Sequence, residues 1–600
     1  MESKVKLRNE IDDKFKWKIE KVYASNEEFE KELEELKKDS IALLAYKDTL
    51  HEKESLLSYL KDYEKHTRKL ETLYVYASMK SHEDTANNVQ QVILSKVAQY
   101  AAEYSAMVSY FVPELLSLDD EIINRYLNDQ DLSEYKFFIE SIVKEKPHVL
   151  SKEKEELMAI LSDSLNAPDD IFSIFTNADM TFHDVEDSEG KMHPLTEGSY
   201  SMYIQSKDRT LRKNAFLELF RTYGAYKNTL GQMLSSNMKI FNLKAKLRNY
   251  ASPIDASLSP NNIPVAVYDN SLETINEGLK SLHRYVEIKK QLLGLDEIHM
   301  YDLYVPVIDV PKQDIEFEEG VQMALKGLSP LGEEYLEVFR EGISEGWIDI
   351  YENKGKRSGA YSSGTYDTNP YILLNYHNDL RDVSTLVHEM GHSIHSYYAR
   401  KTQPYVYGDY TLFVAEVAST TNEKLLINYQ IEEEKDPLKK LYLVNQELEQ
   451  IRTTVFRQLM FAEFEKITHE TIQGGTPMTG EDFNKLWMDL NKKYFGEGII
   501  IEKEIEIEWA RIPHFYSDFY VYQYATGYAA ASAFAESILN NGQESVDKYL
   551  GFLKSGGSSY PVDTLKKAGV DMTGKAPLEA TIRRFDELLD MLQEFIENKK

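Results

Sequence analysis

Apolar residues recur at helical spacing along almost the whole chain, and this feature excludes most fold classes at once. Across 85–112 the positions Ile93, Val97, Ala101, Met107 and Tyr110 predict a long amphipathic helix that stops at Pro113. Ser25 and Glu28 fit a capping box opening a charged helix that runs to Leu36, and helical spacing continues over 41–78. Further helices are expected over 133–144, 151–164, 167–176, 196–249 and 269–293, the last with Gly294 as its stop. From Asp382 onward the pattern is nearly all helical, and the charge-free stretch 519–535 reads as a buried helix rather than a membrane span. The expected fold class is mainly α.

Few segments depart from that pattern. Thr181–Val185 and Lys191–His193 flank Asp187-Ser188-Glu189-Gly190, which is a hairpin signal. Residues 300–311 are rich in Tyr, Val and Pro and read as extended. Residues 354–369 carry Gly355, Gly359 and Gly364 and read as a loop, either an ordinary surface loop or one that closes over a ligand. Residues 371–376 read as a short strand. The alternation over 502–508 fits a half-exposed strand or a solvated face. No internal repeat is visible. Pro113 and the hairpin are the boundary signals, which gives an N-terminal helical region 1–112, a helical region ending in a hairpin 113–196, and a third region 197–600.

With 600 residues and 42% hydrophobic content, the chain can bury a large core. Its 69 Lys and Arg against 100 Asp and Glu leave a net charge of −31. That balance argues against nucleic acid and anionic membranes as partners. There is no cysteine, so thiolate metal sites and cysteine nucleophiles are excluded. The first residues reach Arg8, Glu10, Asp12 and Asp13 with no apolar run resembling a secretory signal, and the expected location is the cytoplasm.

One segment carries chemistry: His388-Glu389-Met390-Gly391-His392. On a helix, side chains four apart lie on one face, so both imidazoles can converge on one ion. Imidazole suits zinc, and a catalytic zinc takes three protein ligands with one position left open. Glu389 stands where its carboxylate can take a proton from water. The bland alternative is a solvated His/Glu face. Leu386, Val387, Met390 and Ile394 argue against it, because they make the helix apolar and expected to be buried. Gly391 costs about 1 kcal/mol against Ala in a helix interior, which a close-packed neighbour would explain. A third ligand is expected at Glu416, a carboxylate in the apolar context Phe413-Val-Ala-Glu-Val-Ala418, with a salt bridge as the alternative. Glu423, seven residues on, fits a salt bridge or support behind a ligand. His395 fits a supporting or core role.

These motifs resemble the thimet-oligopeptidase-like zinc peptidases. His388-Glu-Met-Gly-His392, followed by Val414-Ala-Glu416-Val-Ala-Ser419, matches their signature, and 509–528 with Arg511-Ile-Pro-His514-Phe-Tyr516 is similar to the oligoendopeptidase F branch. The resemblance covers most of the chain. It implies a two-lobed helical zincin with a deep substrate channel, a small β element beside the metal helix, and internal cleavage of short peptides. It implies one zinc ion on His388, His392 and Glu416, with Glu389 as general base. It also implies that His514, Tyr528 and Tyr524 stabilise the transition state, although the spacing from His514 to the tyrosines looks longer than in the thimet branch. Read alone, Tyr516, Tyr520, Tyr524 and Tyr528 form an i, i+4 stripe that fits an aromatic core as well as phenol donors to an oxyanion. In zincins the strand before the metal helix usually pairs with substrate, a role that falls on 371–376 here. The rival readings are an exopeptidase on the same scaffold and a silent peptide-binding protein.

Overall fold

The computed structural model describes residues 5–308 and 313–599. Helices dominate it, with two small sheets. The hairpin forms as β1 (Val185–Glu186) and β2 (Met192–His193), antiparallel, with Gly190 at a positive φ of 83° in the turn. The second sheet holds β3 (Ile348–Tyr351), β4 (Tyr361–Ser363) and β5 (Tyr371–Tyr376) in the order β3-β5-β4. The strand β5 is parallel to β3 and antiparallel to β4. Both of its edges are therefore taken, and it cannot pair with a substrate backbone. The outer strands are β3 and β4, the latter inside the stretch read from sequence as loop.

Several expected boundaries move for local reasons. The first helix is Asn26–Asp39, capped by Ser25 accepting from the Glu28 N–H. The helical spacing over 41–78 is broken at Asp48, which has a φ of 66°, and a helix of 31 residues, Lys53–Glu83, follows. The next helix, Asn88–Val108, starts where the Asn87 side chain accepts from Val89 and Gln90 N–H. Pro113 does not end it. Pro113 lies in the first turn of a separate helix, Phe111–Ser117, where its missing N–H costs no bond. Pro168 likewise does not divide 151–176: Lys152–Ile174 is one helix through that proline, packed along Lys227–Leu247. Gly294 takes a φ of 64° beyond the helix Leu279–Leu292, as a helix stop should.

By contact density the chain divides into two compact units, each drawn from three stretches. One holds Met1–Lys146, Lys312–Tyr429 and Phe534–Gly569. The other holds Pro147–Pro311, Gln430–Ala533 and Val570–Lys600. This partition differs in kind from consecutive blocks divided at 113 and 197, because segments far apart in sequence share a core.

In the first unit, Phe29, Leu33, Leu36, Leu56, Tyr59, Leu73 and Tyr76 belong to one apolar core of the N-terminal helices. A second cluster packs Trp17, Ile19 and Met79 onto Tyr371 and Leu373 of β5. Buried Asp349 of β3 takes Arg8 at 2.8 and 2.5 Å and Lys356 at 2.7 Å. Lys356 belongs to the glycine-rich stretch, whose backbone is also tied by Thr85 N–H to Gly355 O at 2.7 Å and Arg357 N–H to His82 O at 3.0 Å. Residues 355–357 are thus anchored to the N-terminal helices and to β3.

In the second unit, Phe461, Phe464, Phe483, Trp487, Trp509 and Phe515 form an aromatic core. The expected strand over 502–508 is instead part of a 3₁₀ segment, Lys503–Arg511. Its alternation recorded burial rather than sheet pairing: Ile505 and Ile507 turn inward, and buried Glu508 pairs with Arg457 at 2.7 Å. The extended reading of 300–311 also fails where the chain is described. Met300–Asp302 is a 3₁₀ turn, and Arg209 and Arg212 hold Asp302 there; residues 309–312 lie outside the described residues.

Candidate active site

The helix Leu380–Thr402 carries His388, Glu389 and His392. Its start is fixed by Asp379, which accepts from Arg381 and Asp382 N–H, while Asp382 accepts from Asp379 N–H in return. Leu386, Val387, Met390 and Ile394 are fully buried, as their pattern predicts. This orients the other face, and the two imidazoles, toward the helix Leu412–Glu433. Gly391 permits that approach, because a Cβ there would meet the Ser419 backbone at 2.6 Å. The glycine therefore sits at a helix–helix contact that admits no side chain.

Glu416 meets the pair across this contact. Its Oε2 lies 3.4 Å from Nε2 of His388 and 3.4 Å from Nε2 of His392. The two Nε2 atoms are 3.2 Å apart. A tetrahedral ion with bonds of about 2.0–2.1 Å has ligand–ligand edges of about 3.3–3.4 Å, so these three donors have the separations one zinc requires. Glu416 is not buried as its apolar neighbours suggested. Phe413, Val414, Val417 and Ala418 are buried, and the carboxylate projects from the opposite side, half exposed.

Glu423 lies behind the cluster. Its Oε1 is 2.9 Å from Nδ1 of His388, where it accepts the Nδ1 proton and holds the ring with Nε2 toward Glu416. Burial opposes protonation of His388, but the hydrogen bond and charge of Glu423, with Glu389 and Glu416, raise it to about 9. Glu416 is pulled down to about 2 by the hydrogen bond from His392, against desolvation and with the charge of both rings.

Glu389 is 7% exposed and points elsewhere on the helix. Its carboxyl is raised above the ordinary carboxylate range by burial, against the charges of His388 and His392 and, last, the backbone N–H of Ser362 in β4. Ser362 is joined to the same helix again, its hydroxyl 2.7 Å from that of fully buried Ser393. Neither serine stood out in the sequence. β4 is three residues long inside a polar stretch, too short to leave a period-2 signature. His395 settles as a core residue. Its ring stacks on Tyr410 at 3.6 Å, and burial, with the nearby charge of His392, lowers it to about 3, so it is neutral.

The remaining candidates belong to the other unit, and the expected tyrosine stripe is broken. Tyr516 ends the 3₁₀ turn Pro513–Tyr516, Tyr520 lies outside any helix, and of the four stripe residues the helix Tyr522–Asn541 holds only Tyr524 and Tyr528. His514 is exposed, and the half-buried Tyr524 places its hydroxyl 3.5 Å from His514 Nε2. Tyr520 completes this aromatic cluster, its ring 6.2 Å from His514 and 5.4 Å from Tyr524. Tyr528, one turn further along, is 3% exposed. Tyr516 instead stacks on Phe172 at 4.5 Å.

A family model described as Peptidase family M3 matches residues 202–584, and one described as Oligopeptidase F matches residues 114–182. Oligopeptidase PepF of Bacillus subtilis (strain 168) is 46% identical over 591 residues, spanning 98% of this chain and 88% of that protein. An oligoendopeptidase F homolog of Lactococcus lactis subsp. lactis (strain IL1403) is 41% identical, with 99% of each chain covered. Among solved structures, one from Chlamydophila abortus aligns at a TM-score of 0.95 with 37% identity, covering 98% of this chain and all of that one. Oligoendopeptidase-F from Enterococcus faecium aligns at 0.72 with 37% identity, over 96% of this chain and all of that one. No helix among the described residues is long and apolar enough to cross a membrane.

Proposed function

The chain belongs to peptidase family M3, and we propose that it hydrolyses internal bonds of short peptides with one zinc ion held by His388, His392 and Glu416. The observation that carries this reading is the donor triangle of 3.2, 3.4 and 3.4 Å, which matches the edges of a tetrahedral zinc site. The relatives' names, oligopeptidase and oligoendopeptidase, support oligopeptides as the substrate class and internal bonds as the point of cleavage.

When bound, zinc supplies Lewis acidity toward the scissile carbonyl and acidifies the attacking water. The chain's own residues do the rest. Glu389, next to one ligand and held by the Ser362 N–H, takes the proton from that water and delivers it to the leaving amine. Glu423 fixes the tautomer and orientation of His388. His514, Tyr524 and Tyr528 are the candidate donors to the oxyanion, assigned by the family resemblance, and the proximity of Tyr524 to His514 supports the first two of these.

An internally quenched oligopeptide, with mass spectrometry of the fragments, tests the proposal. Cleavage at an interior bond that is lost on chelation and restored by zinc is the expected result. Release of one or two residues from a terminus would replace the endopeptidase reading with an exopeptidase one. Stoichiometric zinc with no turnover of any peptide would leave only peptide binding.

A further inference from the structure

Five non-glycine residues among those described have positive φ, and four of them are Asp or Asn, which tolerate the left-handed region. The fifth is Phe519, with a φ of 58°. A bulky residue keeps that conformation only when its surroundings impose it. Phe519 also sits where the tyrosine stripe breaks, directly before Tyr520 and five residues after His514.

What imposes the turn is visible within the same unit. The Phe519 N–H donates to Oε1 of Glu465 at 2.5 Å. The Phe519 ring is buried against His469, Tyr268 and Phe241, with centroids at 4.6, 5.9 and 6.1 Å. The neighbouring Asp518 carboxylate accepts from Asn237 Nδ2 at 3.3 Å and lies 3.1 Å from His469 Nε2, while Asp518 O accepts from Ser257 Oγ at 3.4 Å. His469 is oriented by Asn242 at 2.8 Å.

Glu465 is the anomalous member. It is fully buried, and its other oxygen, Oε2, has no hydrogen-bond partner. A buried carboxyl with one bond is a poor core residue, and an apolar side chain would pack there at less cost. Its single bond is the one that Phe519 N–H needs. Burial, with the charge of Asp518 adding to it, pushes the carboxyl well above the carboxylate range, and a glutamine oxygen can take over as acceptor of the Phe519 N–H.

We infer that Glu465 is a positioning residue: by holding Phe519 in its left-handed turn, it fixes the His514, Tyr520 and Tyr524 cluster. Its consequence for catalysis rests on the reading above that His514 and Tyr524 serve the oxyanion. Glu465 itself acts only through the backbone.

The test compares Glu465→Gln and Glu465→Met, each as full-length zinc-loaded protein, on an internally quenched oligopeptide. Glu465→Gln should keep kcat within about twofold. Glu465→Met should lower kcat on the order of 10- to 100-fold, the size of effect that a small misplacement of catalytic groups produces, with KM and zinc content near wild type. The imidazole NMR resonances of His514, assigned by their loss in His514→Gln, should shift in Glu465→Met and not in Glu465→Gln. Adding Tyr524→Phe to Glu465→Met should cost far less than the product of the two single losses. Wild-type kcat with unmoved His514 resonances in Glu465→Met would overturn the inference, as would equal loss in the Gln variant or full additivity with Tyr524→Phe. If Glu465→Met does not fold, Asn237→Leu removes the support from the Asp518 side and carries the same expectations. Should Tyr524→Phe and His514→Gln both retain wild-type kcat while Glu465→Met still shifts His514, the oxyanion reading fails and the positioning role stands.

Discussion

Gly391 lies against Ser419 with no room for a side chain between them: a Cβ on Gly391 would come 2.6 Å from the Ser419 Cα and 2.8 Å from its backbone nitrogen. Both opposing atoms are backbone, so neither can rotate aside. The contact sets how closely the helix of His388 and His392 crosses the helix of Glu416. It therefore sets the 3.4 Å distances from Glu416 to the two imidazoles. Gly391→Ala should push the helices apart, weaken zinc binding and lower the melting temperature, with an overpacking cost of about 1–3 kcal/mol. Ala is the better helix former by about 1 kcal/mol. A variant that melts higher and holds zinc normally would show that the crossing is looser than this contact implies.

Glu389→Gln should bind zinc as the wild type does and lose hydrolysis by a factor on the order of 10² to 10⁴, because an amide cannot accept the proton. The amide still accepts the Ser362 N–H, so the fold should be unaffected. Metal analysis beside a peptide assay decides it. Zinc loss in this variant would make Glu389 a ligand.

The two glutamates on Leu412–Glu433 should separate in a zinc titration. Glu416→Ala removes one of three protein donors, so occupancy should collapse. Glu423→Ala removes the partner of His388 Nδ1 and leaves the three donors in place, which should weaken zinc about 10- to 100-fold. The opposite order would transfer the ligand role to Glu423.

In the metal-free protein, burial disfavours protonated His388, but Glu423 and the neighbouring carboxylates outweigh it and raise the ring to about 9. The unfolded value is near 6.5. A raised group contributes stability that is complete below the unfolded value and is lost as pH rises through the folded one. The melting temperature of chelator-treated protein should therefore carry a falling contribution from His388 between about pH 6.5 and 9. Zinc takes the neutral ring, so loading must expel that proton, and zinc affinity should rise with pH over the same window. Metal-buffered titrations from pH 6.5 to 8.5 check this. A flat affinity would mean that His388 is already neutral.

That His388 and His392 share one face was legible in the sequence, because helical geometry alone converts a spacing of four into convergence. Gly391 was legible for the same reason, as a residue that costs helix stability without a neighbour to explain it. What could not be read depended on contacts between distant segments. Ser362 reaches Glu389 only because β4 crosses the helix Leu380–Thr402. Trp17 and Ile19 lie under β5, about 350 positions away in the chain. The four-residue tyrosine stripe misled, because the Glu465 contact imposes a turn at Phe519 that no local propensity favours. Pro113 and Pro168 misled in the opposite direction, since a proline in a first turn costs nothing and one inside a packed helix can be tolerated.

Tyr524→Phe and Tyr528→Phe test the least constrained part of the proposal together. Each substitution removes one hydroxyl and keeps the ring, so packing should barely change. Tyr524 is half-buried, its hydroxyl 3.5 Å from exposed His514, where both groups can still meet a ligand. Tyr528 is 3% exposed in the helix Tyr522–Asn541, where a ligand has less access. A donor that acts on the oxyanion works mainly in the transition state, so its loss should lower kcat and leave KM nearly unchanged, by a factor on the order of 10² to 10³. Tyr524→Phe should show that loss in full, with zinc content and melting temperature near wild type. Tyr528→Phe should show the smaller kinetic loss. The reverse order would place the oxyanion donor at Tyr528. A drop in melting temperature for Tyr528→Phe, with kcat per folded molecule preserved, would mean that its hydroxyl serves the core.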